Sequence, residues 1–283
     1  MKRLLLSLAL LTNIAVASPH LATTDADTFA PELAQKALSL DIAGAEPFGQ
    51  QTFAVRDSGH LLGVMVPGKG LLRADMNACF IGWSRDGESL TNLVPTIGFN
   101  RFNGEACEDV KGVGVISSPG DREVKIAVIY TATTLVETSL VAVVLAYDPQ
   151  SRSLLVDNAL SQRVNNASID SVPKIRRFYA AHPANTATFD SKKYLARITA
   201  WCEEGNVDCN DVTLDSRSKL NGKGILLQGK TVNVHCPDVC DFRGYVFENS
   251  GYSYSFIPND FNRWTMEIFK GDQVTDSVEG TMR

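Results

Sequence analysis

Residues 124–132 read VKIAVIYTA and residues 140–147 read LVAVVLAY, and these two stretches decide the fold. Both are rich in Val, Ile and Ala, and both are apolar at successive positions. A strand with one face in water is apolar only at alternate positions, so this pattern predicts two central β-strands that are covered on both faces. The sequence DPQS at 148–151 predicts a turn, and residues from 154 onward predict the next strand.

Short apolar runs separated by Gly, Pro, Asp and Asn extend the β pattern towards the N-terminus. They lie at 53–55, 61–66, 79–83 and 113–116. Two segments have helical patterns instead. Residues 28–40 carry an apolar stripe with Thr28 as the predicted cap, and residues 169–181 carry Pro173 in the first turn. These elements predict a β-rich N-terminal domain over 18–181.

The last third of the chain predicts a second, smaller β-rich domain. Residues 182–195 contain HPANT, which breaks the helical pattern and predicts a linker. Six short strand candidates follow within 196–283, and Asn221-Gly222 is typical of a hairpin turn. Tyr252, Tyr254 and Phe256 alternate with serines, which indicates a half-buried strand with an aromatic face. The predicted fold class is mainly β with a few helices (α+β), ending in a small disulfide-stapled β-barrel or meander.

The first seventeen residues have the three parts of a secretory signal peptide. Lys2 and Arg3 form a cationic start, residues 4–11 are apolar, and Ala-Val-Ala at 15–17 matches a signal-peptidase site. The apolar stretch is too short to span a membrane. No Cys follows Ala17 directly, so no lipid attachment is expected. The sequence therefore predicts a periplasmic protein that is neither membrane-inserted nor a lipoprotein.

The charge balance of the chain argues against nucleic-acid binding. Residues 1–17 hold two of the 27 basic residues and no acid, so 25 basic residues face 32 acidic ones after cleavage, a net charge of −7. A surface of that sign repels phosphate backbones and anionic membranes. It is compatible with a basic protein partner, although solubility alone also explains it.

Six cysteines, an even number in an exported chain, predict a disulfide framework. They are Cys79, Cys107, Cys202, Cys209, Cys236 and Cys240. Cys79–Cys107 is the natural first pair. Neighbour pairing favours Cys202–Cys209 and Cys236–Cys240, and a bond from Cys209 to Cys236 or Cys240 remains open. Zinc binding with His235 is disfavoured, because the cysteine spacings fit zinc ribbons poorly.

The sequence shows no recognisable catalytic motif. It lacks a nucleophile elbow, a phosphate-binding loop, a dinucleotide fingerprint and an H-E-x-x-H zinc motif. His60, His182 and His235 are each isolated from an obvious nucleophile. Accordingly, no catalytic residue, cofactor or metal is predicted. The alternative from another class is a secreted envelope hydrolase whose site assembles from distant residues, and a third is an assembly protein of the envelope.

The stretch CDFRGYVFENSGYSY at 240–254 resembles the C-terminal module of small exported immunity proteins of Gram-negative bacteria. Gly222-Lys223 and the L-x-G-K-T pattern at 227–231 belong to the same module. The resemblance extends from Cys209 onward. Such proteins protect a bacterium against type VI secretion effectors that act in the periplasm. The resemblance implies that this chain neutralises a toxin by binding a cognate effector, in particular a lipase or phospholipase.

A shorter motif is similar to the S-G-x-x-Y loop with which periplasmic lysozyme inhibitors plug the lysozyme cleft. It is Ser-Gly-Tyr-Ser-Tyr at 250–254. The second signature of those inhibitors, Y-x-x-x-T-K-G, is partly met, since Lys270-Gly271 agree but Thr265 and Phe269 replace its Tyr and Thr. Both resemblances imply a rigid protein that binds a hydrolase. The partner-binding residues expected from them and from the nearby aromatics are Ser250, Gly251, Tyr252, Tyr254 and Trp264.

Overall fold

The computed structural model describes residues 18–73, 75–182, 184–202, 208–236 and 241–283, which fold into a two-sheet sandwich followed by a closed barrel. The predicted signal peptide at 1–17 lies outside these ranges. Within them, no helix has both the length and the apolar character needed to span a lipid bilayer.

The first sheet of the sandwich is antiparallel and covers the N-terminal part of the chain. Its strands are β1 (His20–Thr23), β2 (Ile42–Pro47), β3 (Phe53–Asp57), β4 (His60–Leu72), β5 (Met76–Ser84) and β6 (Asn92–Pro95). The order is β1-β3-β4-β5-β6, with β2 paired to the far end of β4. Helix α1 (Ala30–Ala37) buries Leu33 against the outer face, and a 3-10 turn at Leu38–Leu40 follows it. The helix begins after Phe29 and has no side-chain cap, so the expected cap at Thr28 is wrong.

The second sheet contains the two stretches that decide the fold. Its strands are β7 (Ala106–Val115), β8 (Lys125–Thr133), β9 (Thr138–Asp148) and β10 (Ser153–Val156), in the order β10-β9-β8-β7. Ile126 and Val128 of β8 face the first sheet, whereas Ala127 and Ile129 pack under two helices, α2 (Asn158–Asn166) and α3 (Val172–Ala181). The prediction of central strands covered on both faces is therefore confirmed, and the sandwich has four layers, helix, sheet, sheet and helices.

Helix α2 was not predicted from the sequence, and a buried acid begins it. The carboxylate of Asp157 accepts a hydrogen bond from the Leu160 amide at 3.0 Å, which satisfies one of the free N–H groups of the first turn. The apolar side chains of the helix are few and close together in sequence, so its periodicity is weak. Helix α3 begins at Val172 with Pro173 in its first turn, within the predicted span.

The C-terminal part of the chain is an eight-stranded barrel in which each strand pairs with the next. Its strands are β11 (Asn185–Ser191), β12 (Tyr194–Ala200), β13 (Val212–Ser218), β14 (Gly224–Val234), β15 (Asp241–Asn249), β16 (Tyr252–Pro258), β17 (Arg263–Lys270) and β18 (Gln273–Met282). Pairing of β11 with β18 closes the barrel. Phe189, Phe247 and Phe256 fill its interior and are fully buried. The predicted small barrel is confirmed.

The structure corrects the expected linker over 182–195. Half of that span is β11, and the next strand begins at Tyr194. The sequence of β11 is NTATFDS, which is largely polar because one face of the strand is outside the barrel. Only Phe189 and Ser191 of this strand are buried. A pattern so poor in apolar residues looks like a linker until the neighbouring strands are known.

Two of the predicted disulfides are confirmed. Cys79–Cys107 joins β5 to β7 and so links the two sheets of the sandwich. Cys202–Cys209 closes the connection between β12 and β13. Cys236 is also disulfide-bonded, while its predicted partner Cys240 lies outside the described residues.

A buried ion network joins the barrel to the sandwich. The Lys125 ammonium of β8 lies 2.6 Å from an Asp157 carboxylate oxygen and 2.9 Å from a Glu123 oxygen. Arg197 of β12 donates to the same Glu123 oxygen at 2.8 Å. Nearby, the Asn158 amide donates to Asp215 of β13 at 2.9 Å. These contacts fix β12 and β13 against the sandwich, so the barrel is held on one side.

Candidate partner-binding end of the barrel

Alternate hairpin turns of an up-and-down barrel lie at the same end, and this places four turns of the chain together. They are at 192–193, 219–223, 250–251 and 271–272. We call this group the turn end. The opposite end carries the Cys202–Cys209 disulfide and the connection at 259–262.

One of the four turns, at 219–223, lies near the sandwich, since Arg217 and Gly224, which flank it, line a pocket together with Asn100 and Arg101. The ties between the two units run through β12, β13 and the opposite end, where Arg163 is paired with Asp211 and Arg283 with Asp148. In the described parts of the chain, no hydrogen bond or ion pair joins the four turns to residues 18–182. A partner that binds the turns at 250–251 and 271–272 therefore breaks no hydrogen bond or ion pair between the described residues of the two units.

Ser250 and Gly251, two of the predicted partner-binding residues, form the tip of the β15–β16 hairpin. Their φ values are 49° and 81°, and positive φ at both central residues is the geometry of a tight two-residue turn. Both residues are exposed. The Ser250 hydroxyl donates to the Asn249 side chain at 3.1 Å, which keeps the turn compact.

The two partial signatures noted in the sequence are brought together at this tip. Tyr252 pairs directly across the sheet with Lys270, so the S-G-x-x-Y turn lies beside the K-G turn. The Lys270 ammonium is 5.7 Å from the centre of the Tyr252 ring, within the range of a cation–π contact. Lys270 itself is exposed. In the sequence Lys270 is recognisable only as part of the K-G match, because its contact with Tyr252 depends on the register of the two strands.

The remaining two predicted partner-binding residues are placed differently. Tyr254 is half-buried and packs on the barrel core, because strand alternation puts it on the same inward face as Phe256. Trp264 is only 8% exposed and lies near the start of β17, towards the opposite end. It stacks on Tyr245 with ring centres 6.0 Å apart. The expectation that Trp264 contacts a partner is therefore corrected to a core role.

The turn end has a charge opposite in sign to that of the whole chain, which is −5. Within two residues of the four turns lie the basic residues Lys192, Lys193, Arg217, Lys219, Lys223 and Lys270 and the acidic residues Asp190, Glu248 and Asp272. Lys193 is held by Asp276 at 2.6 Å, and this hydrogen bond lowers the pKa of Asp276. Lys219 is paired with Asp190. Lys270 has no acidic partner among the described residues, so its charge is available to another molecule.

The histidines considered as possible bases are dispersed. His182 stacks on Phe178 and its Nδ1 lies 2.8 Å from the Phe178 carbonyl oxygen. His235 lies 3.1 Å from Asp241 on an exposed surface. His60 is exposed at the start of β4. Over the described ranges, no cluster of three or more His, Cys, Asp or Glu side chains has metal-binding geometry.

Comparisons with known proteins give no match that bears on this site. No protein-family model matches the chain, and neither a curated protein nor a solved structure shows a significant match.

Proposed function

We propose that this chain is a periplasmic immunity or inhibitor protein that neutralises an envelope-degrading hydrolase by inserting the turn end of its barrel into the enzyme's cleft. The predicted signal peptide would deliver it to the periplasm. The observation that carries the proposal is the direct pairing of Tyr252 with Lys270, which unites the S-G-x-x-Y and K-G turns on one exposed tip. Its partner is a protein, and it acts by binding rather than by chemistry.

The shape and rigidity of the turn end support this proposal. Tight hairpin turns end the strands of a closed barrel, and a tip of this kind is narrow enough to enter an enzyme cleft. The strands behind the turns are fully paired, so docking orders little new structure and little entropy is lost. The hydrogen bonds and ion pairs that fix the barrel to the sandwich lie elsewhere, so docking at the turns at 250–251 and 271–272 would leave them intact.

The chemistry of the turn end favours a glycan-cleaving enzyme as the target. Glycosidases of the lysozyme type carry two carboxyl groups across their cleft. The Lys270 ammonium and the neighbouring basic side chains would complement those carboxylates, while the Ser250 hydroxyl and the Tyr252 ring supply hydrogen bonding and contact area. The wider resemblance implies a lipase or phospholipase effector instead. No feature of the turn end favours an enzyme of that kind, and such enzymes form the second arm of the test.

The experiment measures inhibition and affinity of mature protein against a panel of purified muramidases, lipases and phospholipases, including type VI effectors. We expect nanomolar or tighter binding to one muramidase. Lys270→Ala should weaken it by about tenfold or more, as removal of a central interface charge does. Lys230→Ala removes the same charge from an exposed position on the barrel wall and should leave binding unchanged.

Each outcome of the panel has a definite meaning. If the protein binds a lipase and Lys270→Ala does not weaken that binding, the protein is still an inhibitor, but the turn end is not its binding surface. Retention of no hydrolase by the folded protein would contradict the proposed function as a whole.

A further inference from the structure

A cavity of about 630 Å³ lies in the sandwich, apart from the barrel. It is formed where β7 and β9 begin and where α2 gives way to α3. Its polar lining includes Arg101, Glu105, Glu137, Gln162, Asn166 and Asp170, and Phe102, Leu140 and Ile169 give it an apolar wall. The volume is within the range of small-molecule sites. No part of the inhibitor surface proposed above contributes to it.

Glu105 is the unusual residue of this cavity. Its Oε2 atom is buried and accepts no hydrogen bond from the described residues. Burial raises the pKa of this carboxyl. A buried carboxylate oxygen without a donor is costly, and native structures almost always supply one. The backbone at this position is fixed, since the Glu105 amide donates to the Phe102 carbonyl and Cys107, two residues on, is held by its disulfide.

The other charged groups of the cavity do not satisfy Glu105. Asp170 is occupied by Lys174 at 2.8 Å, and Glu137 has the same sign as Glu105. Arg101 lines the cavity but makes no ion pair with any described residue. Asp170 is thus neutralised within the chain, whereas Glu105 and Glu137 form no ion pair with Arg101 or with any other described residue, and a cationic donor would supply the missing partner.

The donor required is an N–H group rather than a bare metal ion. Among the described residues, the acidic side chains do not converge in threes as a cation site needs. The apolar wall of the cavity is suited to the methylene groups of an alkyl chain. Glu105 at one side and the carboxamides of Gln162 and Asn166 at another would hold the ammonium end by hydrogen bonds.

We propose that this cavity binds a ligand carrying a primary ammonium group on an aliphatic chain, with Glu105 as its counter-ion. A free alkyl diamine and a lysine side chain of a peptide share this chemistry. The proposal does not depend on the inhibitor function, because the cavity and the turn end are in different units of the protein.

The test is calorimetric titration of the full mature protein with three probes: 1,5-diaminopentane, Nα-acetyl-lysine amide and Nα,Nε-diacetyl-lysine amide. We expect the first two to bind and the third, which lacks the ammonium, not to bind. Whichever of the first two probes binds more tightly shows whether the natural ligand is a free diamine or a lysine side chain of a peptide. Glu105→Gln should weaken binding by about tenfold or more, since a charge-assisted hydrogen bond is lost. Glu88→Gln, at an exposed position in the loop between β5 and β6, should not.

A second readout separates ligand binding from a structural role of Glu105. Because its buried oxygen has no partner within the described chain, Glu105→Gln should leave the midpoint of thermal unfolding unchanged or raise it. The proposal is overturned if none of the probes binds, if the diacetylated probe binds equally well, or if Glu105→Gln binds as tightly as the unmodified protein. Lys270→Ala should bind the amine normally, so the two proposals fail independently.

Discussion

The buried ion network between sandwich and barrel gives the sharpest test of how this fold is held together. The perturbation is Lys125→Ala. The Lys125 side chain is 7% exposed, as is that of Asp157, and the two are 2.6 Å apart. Lys125 also lies 2.9 Å from Glu123, so its removal leaves the buried Asp157 and the half-buried Glu123 with Arg197 alone as their nearby cation.

The expected loss of stability is large because the Asp157 carboxylate, whose side chain is 7% exposed, would lose its closest cation without gaining water. Removing one partner of a buried ion pair typically costs about 3–5 kcal/mol. Arg197 remains 2.8 Å from Glu123 and 3.9 Å from Asp157, which places the expectation near the lower end of that range. Lys111→Ala is the matched control, since Lys111 pairs with Asp109 at 2.8 Å but both side chains are about half exposed. An exposed pair contributes about 0–1 kcal/mol.

The assay is urea-induced unfolding at pH 7, followed by circular dichroism and tryptophan fluorescence. Lys125→Met keeps most of the buried alkyl volume and removes only the charge, so it separates electrostatics from packing. We expect both Lys125 variants to unfold at clearly lower urea than Lys111→Ala. If the free energy of unfolding of Lys125→Ala lies within about 1 kcal/mol of that of Lys111→Ala, the network does not hold the units together and the reasoning is refuted.

Three further predictions concern other parts of the molecule. Replacing Cys79 and Cys107 together by Ala should lower the free energy of unfolding in urea by about 3–4 kcal/mol, the chain-entropy value for a loop of this length; an unchanged midpoint would contradict it. Gly244→Ala should destabilise the barrel by about 3 kcal/mol or more, because its φ is 126° and a Cβ would lie 1.9 Å from a backbone carbonyl oxygen. Gly251→Ala, with positive φ but open space around it, should cost only about 1–2 kcal/mol in the same denaturation assay. Burial favours a raised pKa for Asp157, but the charges of Lys125 and then Arg197 outweigh it and hold that pKa at about 2. The ionised carboxylate therefore stabilises the fold above its usual pKa of 3.8, and about 2 kcal/mol of the free energy of unfolding should be lost as the pH falls to 2. Asp157→Asn should lack this part of the pH dependence.

Much of the fold could be predicted because burial on both faces leaves a strong mark on a sequence. The stretches at 124–132 and 140–147 contain little besides apolar residues, and they are the two central strands. Cys79 and Cys107 were the natural pair of the first half, and the structure joins them. The β11 segment was mistaken for a linker because a barrel strand with one polar face and short length carries few apolar residues.

The candidate site could be predicted only in part, because the local sequence does not determine which residues pair across neighbouring strands. Ser250 and Gly251 were identified by motif, but the contact between Tyr252 and Lys270 depends on the register of two strands. Trp264 was expected at an interface on residue type alone, and its inward position follows from the alternation of β17. The ion network was invisible for the same reason, since Glu123 and Arg197 are 74 positions apart.

The separation of the four hairpin tips from every anchor of the barrel has an evolutionary consequence. Strand register is fixed along the barrel walls, and the attachment to the sandwich is fixed along β12, β13 and the far end. Loop tips that bear no such duties tolerate replacement and lengthening well. Under the proposed function, substitutions in these tips would change which enzyme the protein inhibits, and the rest of the fold would stay the same.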